Sequence, residues 1–273
     1  MNPGEARRAP AETPTNDVRA PLEPSQDAYG QILLAVLEGR ESHEIMERDD
    51  GLVYCGDPRD YFAPFRRWPP VERQAMRFVR GRVLDVGCAA GRVSLHLQDR
   101  GHEVVAIDVS PLAVEVARRR GVRRAEVGSL ETVDASSGLF DTVLIIRNNF
   151  GLVGTEGRAG SVLRRLAAIT TERARIVTDS VDPERLENPA FRTYRRRGYG
   201  PVRPRAQRFR VRWQRYASPW FYYLMLTPAE LARLVEGSGW SVLRVIDDGS
   251  PRFAVVLEKD RPAAPTRQGS RRP

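Results

Sequence analysis

The chain has 273 residues, which is long enough for one sizeable α/β domain with additions, and its formal charge is +9. No apolar run approaches the roughly 20 residues that cross a bilayer, and no apolar stretch follows Arg7 and Arg8, so we expect neither a membrane span nor a secretory leader. The two cysteines, Cys55 and Cys88, make no disulfide framework, and a cytoplasmic protein with free thiols is the simplest expectation.

The two ends of the chain differ in composition from the rest. Residues 1–24 and 261–273 are rich in Pro, Ala and Arg and lack apolar periodicity. Segments of this composition bury too little apolar surface to fold, so both are predicted to be disordered tails.

The first segment with a regular pattern covers residues 25–80. Apolar residues recur at helical spacing over 29–37, with Ser25 or Asp27 as the predicted cap. A polar stretch follows, and a second helix is predicted over 71–79, after two prolines. We therefore expect an N-terminal helical cap.

Over residues 81–186, short apolar strands alternate with amphipathic helices. The predicted strands are "RVLDVG", "HEVVAID", "RAEVGS", "FDTVLIIR" and "RARIVTDSV". Alternation with short connections implies a doubly wound, mainly parallel sheet with right-handed crossovers. Ligands of such sheets bind at the carboxyl ends of the strands.

One strand-to-helix connection has the character of a ligand loop. "VLDVGCAAGR", residues 83–92, leads from a strand through small residues into a helix, and Gly87 and Gly91 allow a close backbone approach. Asp108 ends the next strand, where a carboxylate can accept both hydroxyls of a ribose. Asp85, inside the first strand, disfavours a pyrophosphate and suits a positively charged ligand. A cofactor site is favoured over a merely structural turn.

These segments resemble the class I S-adenosylmethionine-dependent methyltransferases. "VLDVGCAAGR" is similar to their first motif, "VVAIDVSP" to their acidic second motif, and "FDTVLIIRNN" to the fourth strand, whose end faces the transferred methyl group. The resemblance implies a Rossmann-like core over residues 81–186, completed by 227–260 with an antiparallel last strand. It also implies S-adenosyl-L-methionine as the cofactor and methyl transfer as the reaction.

The resemblance places the cofactor residue by residue. Its contacts would be Asp85, Gly87, Cys88, Ala89 and Gly91 at the methionine end, Asp108 and Val109 at the ribose, Ser129 and Leu130 at the adenine, and Arg147, Asn148 and Asn149 near the sulfonium. Two positions depart from the family pattern. Ala89 replaces a central Gly: its Cβ fits if φ is negative and clashes if the loop requires a positive φ, and the small neighbours favour a tolerated variant. Ser129 offers a hydroxyl where an Asp is common.

The chain shows no convincing acid–base apparatus and no predicted metal site. His43, in the polar stretch before residue 51, and Asn149, after the fourth strand, are the candidate catalytic residues. A solvated connection and a capped turn are the respective alternatives. In-line methyl transfer needs little beyond alignment and desolvation.

The positive charge is concentrated in one insertion, residues 187–226. Ten arginines and no acid lie between Asn188 and Ala229. Over 208–213, arginines alternate with apolar residues, which predicts a β-hairpin with one basic face. The predicted substrate contacts are Tyr61, Asn149, Arg210, Arg212, Trp213 and Trp220; a solvated arginine face is the alternative.

We therefore expect a methyltransferase acting on a small metabolite, with an anionic one favoured by the arginines. The same arginines make an RNA or tRNA methyltransferase the alternative. A non-catalytic cofactor-binding protein is the second alternative, favoured by Ala89, Ser129 and the lack of a base. The sequence leaves the acceptor atom, the pathway and the oligomeric state open.

Overall fold

The computed structural model of the chain describes residues 21–134, 138–197 and 206–260. The two predicted tails lie outside these residues except for 21–24, where the Leu22 amide donates to the Val109 carbonyl oxygen at 3.4 Å. The described chain therefore begins at residue 21, and its first helix begins at Ala28.

Seven α-helices and twelve strands make up the described chain. The helices are α1 (Ala28–Leu37), α2 (Pro70–Ala75), α3 (Arg92–Gln98), α4 (Pro111–Arg119), α5 (Glu156–Ala168), α6 (Pro189–Arg197) and α7 (Pro228–Val235). The strands are β1 (Glu44–Arg48), β2 (Val53–Gly56), β3 (Val83–Val86), β4 (Val104–Asp108), β5 (Ala125–Val127), β6 (Phe140–Ile145), β7 (Thr170–Val181), β8 (Ala206–Trp213), β9 (Tyr216–Ala217), β10 (Phe221–Leu224), β11 (Trp240–Ile246) and β12 (Arg252–Lys259).

The larger sheet has the order β11-β12-β7-β6-β3-β4-β5. Strands β3 to β7 pair in parallel, and β12 runs antiparallel to both β7 and β11. All residues of β3 and β4 are buried, as expected for parallel strands covered by helices on both faces. The predicted α/β fold class is confirmed.

The helix boundaries follow from their capping residues. The Asp27 side chain caps α1 by accepting from the Gly30 amide, and Ser110 caps α4 by accepting from the Ala113 amide. Thr227 and Glu230 form a capping box at the start of α7. The predicted second helix is shorter than expected, because a 3₁₀ turn replaces the α-helix after Ala75.

A second, antiparallel sheet was only half predicted. The expected hairpin of the insertion is present as β8 and β10, with β9 also pairing with β8. However, the polar stretch after α1 is not a connection: it forms the hairpin β1–β2, and β1 pairs with β8. The N-terminal segment is thus not purely helical, because β1 finds its hydrogen-bonding partner about 160 residues away in the sequence.

The second sheet has two distinct faces. Its inner face carries Met46, Val211 and Trp213, which pack against Ala28 and Ile32 of α1. Its outer face carries Ile45 and Glu47 of β1 and three arginines of β8, namely Arg208, Arg210 and Arg212. The sequence predicted this alternation in β8, and packing of the apolar face on α1 explains its direction.

Within the described residues, no helix is both long and apolar enough to cross a membrane.

Candidate active site

The loop after β3 depends on two glycines. Gly87 has φ +71° and Gly91 has φ +76°, a region that side chains rarely adopt. A Cβ on Gly87 would lie 2.3 Å from Asn149 Nδ2, and one on Gly91 would lie 2.5 Å from Val122 Cγ2. The glycines therefore allow the loop to pack against both the end of β6 and the turn after α4.

Ala89 also adopts a left-handed conformation, with φ +52°. Of the two cases that the sequence left open for Ala89, a negative or a positive φ, the structure shows the positive one. The Ala89 amide donates to Asp108 Oδ2 at 2.9 Å, and this hydrogen bond holds the residue in its strained conformation. The centre of the loop is thus tied to the end of β4.

Asp108 is the acid at the end of β4, and it is only 6% exposed. Its Oδ1 accepts from the Ser110 amide at 3.0 Å, while Oδ2 accepts from Ala89. Burial raises the pKa of Asp108 to about 6, against the lowering effect of these two hydrogen bonds. Each carboxylate oxygen has a second lone pair, so the group can still accept a hydrogen bond from each of two ligand hydroxyls.

Asp85 lies one strand away and is 2% exposed. It accepts a hydrogen bond from Ser94 Oγ at 2.6 Å. Burial raises the pKa of Asp85 to about 6, while Ser94 and the Arg92 guanidinium oppose this shift. A cation bound beside the loop would favour the ionised form of Asp85.

The turn after β5 carries the residues assigned to the adenine. Ser129 and Leu130 are both buried. Ser129 Oγ accepts from the Glu131 amide at 3.2 Å, so its hydroxyl hydrogen remains a donor for Thr132 or for a ligand. Val109, half-buried, follows Asp108 directly.

The chain after β6 is strained at two adjacent residues. Arg147 has φ +69° and Asn148 has φ +60°, an uncommon pair for non-glycine residues. The Asn148 amide donates to Asp179 Oδ1 at 2.7 Å, which holds the bend in place. Asn149 Nδ2 then donates to the Gly87 carbonyl oxygen at 3.1 Å. Strain of this kind is concentrated at functional sites.

A network of buried charged side chains includes Asp179, which holds this bend. Asp179 pairs with Arg252, and Arg252 also approaches Glu72, which pairs with Arg92 at the start of α3. Glu72 and Asp179 have fully buried side chains, so each carboxylate depends on its arginine partner. The network connects α2, α3, β7 and β12 beneath the bend.

A group of tyrosines above the loop was largely missed from the sequence. Tyr61, a predicted substrate contact, lies edge-on to Tyr29 with ring centroids 5.2 Å apart, and the Arg147 guanidinium lies 4.8 Å from its ring. The Tyr61 hydroxyl donates to Glu44, in β1. Glu44, Tyr29, Tyr54 and Tyr223 carry no local motif, and "EIMER" has apolar residues on both faces, so no sequence signal indicated that Glu44 lies on an inward face.

The predicted arginine contacts do not lie in this group. Arg210 and Arg212 are on the outer face of the second sheet and both pair with Glu47 of β1, at 2.8 and 3.0 Å. Trp220 lies on the same side, 4.5 Å from the Arg210 guanidinium. The structure therefore does not bring these residues to the loop, because strict alternation along β8 turns them away from the inner face.

Two further expectations are corrected by position. Trp213 is buried against α1 rather than lining an open pocket, and its ring stacks on Tyr216. The His43 side chain is 64% exposed and lies 3.6 Å from Glu41. The His43 imidazole is therefore largely surrounded by solvent, as in the alternative of a solvated connection.

Within the described ranges, no group of three or more His, Cys, Asp or Glu side chains could hold a metal ion. A cationic cofactor with a ribose, by contrast, matches the chemistry of the residues present. Asp108 offers carboxylate oxygens, Asp85 a negative charge, and the loop a closely packed backbone.

Comparisons with known proteins agree with this site. A family model described as a methyltransferase domain matches residues 83–172, which include the loop, Asp108, the turn after β5 and the strained bend. This match agrees with the predicted resemblance to the class I S-adenosylmethionine-dependent methyltransferases over the part of the chain that carries the site.

Curated relatives are similar over part of their length. The chain is 25% identical over 128 residues to a 2-heptyl-1-hydroxyquinolin-4(1H)-one methyltransferase of Mycobacteroides abscessus, covering 42% of this chain and 56% of the relative. It is 36% identical over 81 residues to a ubiquinone biosynthesis O-methyltransferase of Methylocella silvestris, covering 28% of this chain and 32% of the relative. The chain thus spans about half or less of these relatives.

Solved structures show the same fold. A SAM-dependent methyltransferase from Bacteroides fragilis, crystallised with S-adenosyl-L-homocysteine, has a TM-score of 0.75 at 23% identity, covering 88% of this chain and 98% of that chain. A 1,6-didemethyltoxoflavin-N1-methyltransferase from Burkholderia thailandensis has a TM-score of 0.51 at 17% identity, covering 88% and 92%.

Proposed function

We propose that the chain, which carries a methyltransferase domain over residues 83–172, transfers the methyl group of S-adenosyl-L-methionine to a small molecule. The observation that carries the proposal is the Ala89–Asp108 hydrogen bond. It joins a left-handed glycine loop to a buried acid at the carboxyl edge of a parallel sheet, where such sheets bind nucleotide ligands.

In this proposal each region of the site has its own task. Asp108 accepts hydrogen bonds from the ribose, Ser129 and Leu130 bind the adenine, and Asp85 balances the positive charge of the methionine end. The cofactor supplies a methyl group activated by a positively charged sulfur. The residues of the chain bind it, exclude water and align the acceptor, which is the greater part of catalysis for an in-line displacement.

The second sheet and the chain around it supply the acceptor side. Tyr29 packs on the inner face of this sheet and, with Tyr61, against Ala89 and Ala90 of the loop, so an acceptor bound beside these rings would be shielded from water. The relatives act, by their names, on quinolone, ubiquinone-pathway and toxoflavin-type compounds, which are small molecules. The pairing of Arg210 and Arg212 with Glu47 removes the main reason to expect an anionic acceptor.

An RNA methyltransferase remains the second candidate because of one observation on the outer face. Arg208 and Arg210 both lie over the Trp220 ring, at 5.5 and 4.5 Å. Arginines beside an aromatic ring are typical of surfaces that bind single-stranded nucleic acid. Binding of bulk tRNA that weakens steeply with salt would favour this candidate.

Calorimetric titration with S-adenosylmethionine tests the cofactor step. Asp108→Asn keeps the shape but removes the charge, and a charge-assisted hydrogen bond contributes about 1.5–3 kcal/mol, so affinity should fall roughly tenfold or more. Asp141→Asn is the matched control: Asp141 also accepts from two donors, the Arg82 amide and Thr171 Oγ1, but lies at the amino end of β6.

The control should bind the cofactor as the wild type does. Unchanged affinity in a folded Asp108→Asn variant would remove Asp108 from the site. Cofactor binding without methyl transfer to any member of a broad panel of metabolites and tRNA would instead indicate a non-catalytic cofactor-binding protein.

A further inference from the structure

We propose that Glu44 accepts the proton from a planar aromatic acceptor that carries a hydroxyl or ring N–H group. The acceptor would bind between the inner face of the second sheet and the end of β6. This inference rests on the methyl transfer proposed above and assigns its acceptor side.

The position of Glu44 is set by its cross-strand partner. Glu44 begins β1 on the same face as Met46, and it pairs with Gly56 of β2. A Cβ on Gly56 would lie 2.9 Å from Glu44 Oε2, so a larger residue there would displace the carboxylate from its position across β2. The Tyr61 hydroxyl lies 3.2 Å from both carboxylate oxygens and fixes their orientation.

A continuous series of contacts connects Glu44 to the cofactor loop. Tyr61, its hydrogen-bond donor, lies beside the Arg147 guanidinium at 4.8 Å. Arg147 begins the strained bend, and two residues later Asn149 donates to the carbonyl oxygen of Gly87. Two side chains, Tyr61 and Arg147, and one short bend therefore connect the Glu44 carboxylate to the loop that would hold the methyl donor.

Tyrosine rings lie on several sides of this series of contacts. Tyr29 lies edge-on to Tyr61, and the Tyr223 hydroxyl donates to the Arg147 carbonyl oxygen at 3.3 Å. Tyr54 packs edge-on against Phe209 on the inner face. Flat rings with polar tips favour a planar aromatic ligand, because edge and face contacts add to simple burial.

The electrostatics give Glu44 and the tyrosines different roles. Burial raises the pKa of Glu44, and Asp60 raises it further, while the Arg147 guanidinium and the Tyr61 hydroxyl lower it. Burial also raises the pKa of Tyr223 to about 12, and those of Tyr29, Tyr54 and Tyr61 well above their ordinary value. The tyrosines thus stay protonated, and the Glu44 carboxylate is the proton acceptor among these groups.

The step balances without any further reactant. The acceptor oxygen or nitrogen attacks the methyl carbon, the new bond to carbon forms, and the carbon–sulfur bond breaks with its electron pair going to sulfur. The proton of the acceptor passes to the ionised Glu44 carboxylate, which later returns it to water. The positive charge of the sulfonium is thereby converted into one released proton.

Glu47, three residues after Glu44 in the same strand, has a structural role and differs from Glu44 in its contacts. It lies on the outer face, where Arg210 and Arg212 bind its carboxylate. Hydrogen bonds from these arginines lower the pKa of Glu47, which makes it a poor base. Glu47 is therefore a matched control for Glu44.

The test follows transfer of radiolabelled methyl groups to a panel of phenols, naphthols, hydroxyquinolines and fused N–H heterocycles. For the best acceptor, Glu44→Gln should lower kcat roughly 10²–10⁴-fold, the usual contribution of a general base. The Kd for S-adenosylmethionine should stay within about twofold. Glu47→Gln should leave both quantities at their wild-type values.

A pH profile separates a proton acceptor from a structural residue. Tyr61→Phe removes a hydrogen bond that favours the ionised carboxylate, so the acid limb of kcat should move to higher pH. The other titratable or charged side chains that face Glu44 are Arg147, Asp60, Tyr29 and Tyr54. The Tyr61→Phe variant leaves all four in place. The variant also provides the test if Glu44→Gln does not fold.

Three outcomes overturn the inference. They are turnover of no panel member by a protein that binds S-adenosylmethionine, normal kcat in folded Glu44→Gln, and an acid limb that Tyr61→Phe leaves in place. Failure to bind S-adenosylmethionine at all would instead overturn the proposed function.

Discussion

Replacement of Ala89 by glycine should stabilise the protein, which is unusual for a substitution that adds backbone freedom. Ala89 has φ +52°, where an L-residue is roughly 1–2 kcal/mol less stable than in its ordinary conformations. Glycine removes this strain but loses roughly 0.5–1 kcal/mol more conformational entropy on folding. The difference predicts a gain of about 0.5–1 kcal/mol in the free energy of unfolding.

Urea denaturation of two neighbouring variants measures this effect. Ala90 is fully buried and is not among the residues with positive φ, so Ala90→Gly should lower stability by roughly 0.5–1 kcal/mol or more. The two alanine-to-glycine changes should therefore shift the urea midpoint in opposite directions. Because the amide of residue 89 still donates to Asp108, Ala89→Gly should bind S-adenosylmethionine within about threefold of the wild type.

Destabilisation of Ala89→Gly to the same extent as Ala90→Gly would refute the left-handed conformation. A large gain in cofactor affinity would mean that the alanine impairs the natural loop, and that result would favour the non-catalytic alternative.

Two further predictions concern charge. Asp85 and Asp108 have pKa values raised by burial to about 6 from 3.8, so the folded protein binds protons between these pH values that the unfolded chain does not. Their contribution to the free energy of unfolding therefore becomes more favourable as the pH falls from about 7 to about 4. Cofactor affinity should change in the opposite direction: at pH values below about 6 it should decrease, because Asp108 loses its charge. Equal affinities by calorimetry at pH 5 and pH 7.5 would contradict this prediction. Arg210→Ala and Arg212→Ala should leave cofactor affinity and small-molecule turnover unchanged, since both side chains pair with Glu47 on the outer face; a steep, salt-dependent loss of tRNA binding in these variants would favour the nucleic-acid candidate instead.

The local pattern of the sequence was sufficient to predict the larger sheet and to single out the loop after β3 and Asp108, which the structure brings together. Strands β3, β4 and β6 are short, mainly apolar runs; β3 leads directly into Gly87, β4 ends in Asp108, and the helix after β4 is capped by Ser110. Periodicity, capping and turn chemistry all act over a few residues, so they can be recognised without knowing the fold.

Only the tertiary structure decided the acceptor side. The conformation of Ala89 depends on the buried Asp108 carboxylate, which lies on another strand. The segment "EIMER" by itself does not reveal that β1 pairs with β8. That pairing turns Arg210 outward to Glu47 and brings Glu44 inward to Tyr61. Contacts between residues distant in the sequence depend on the register of the strands, and a shift of one residue would exchange the two faces.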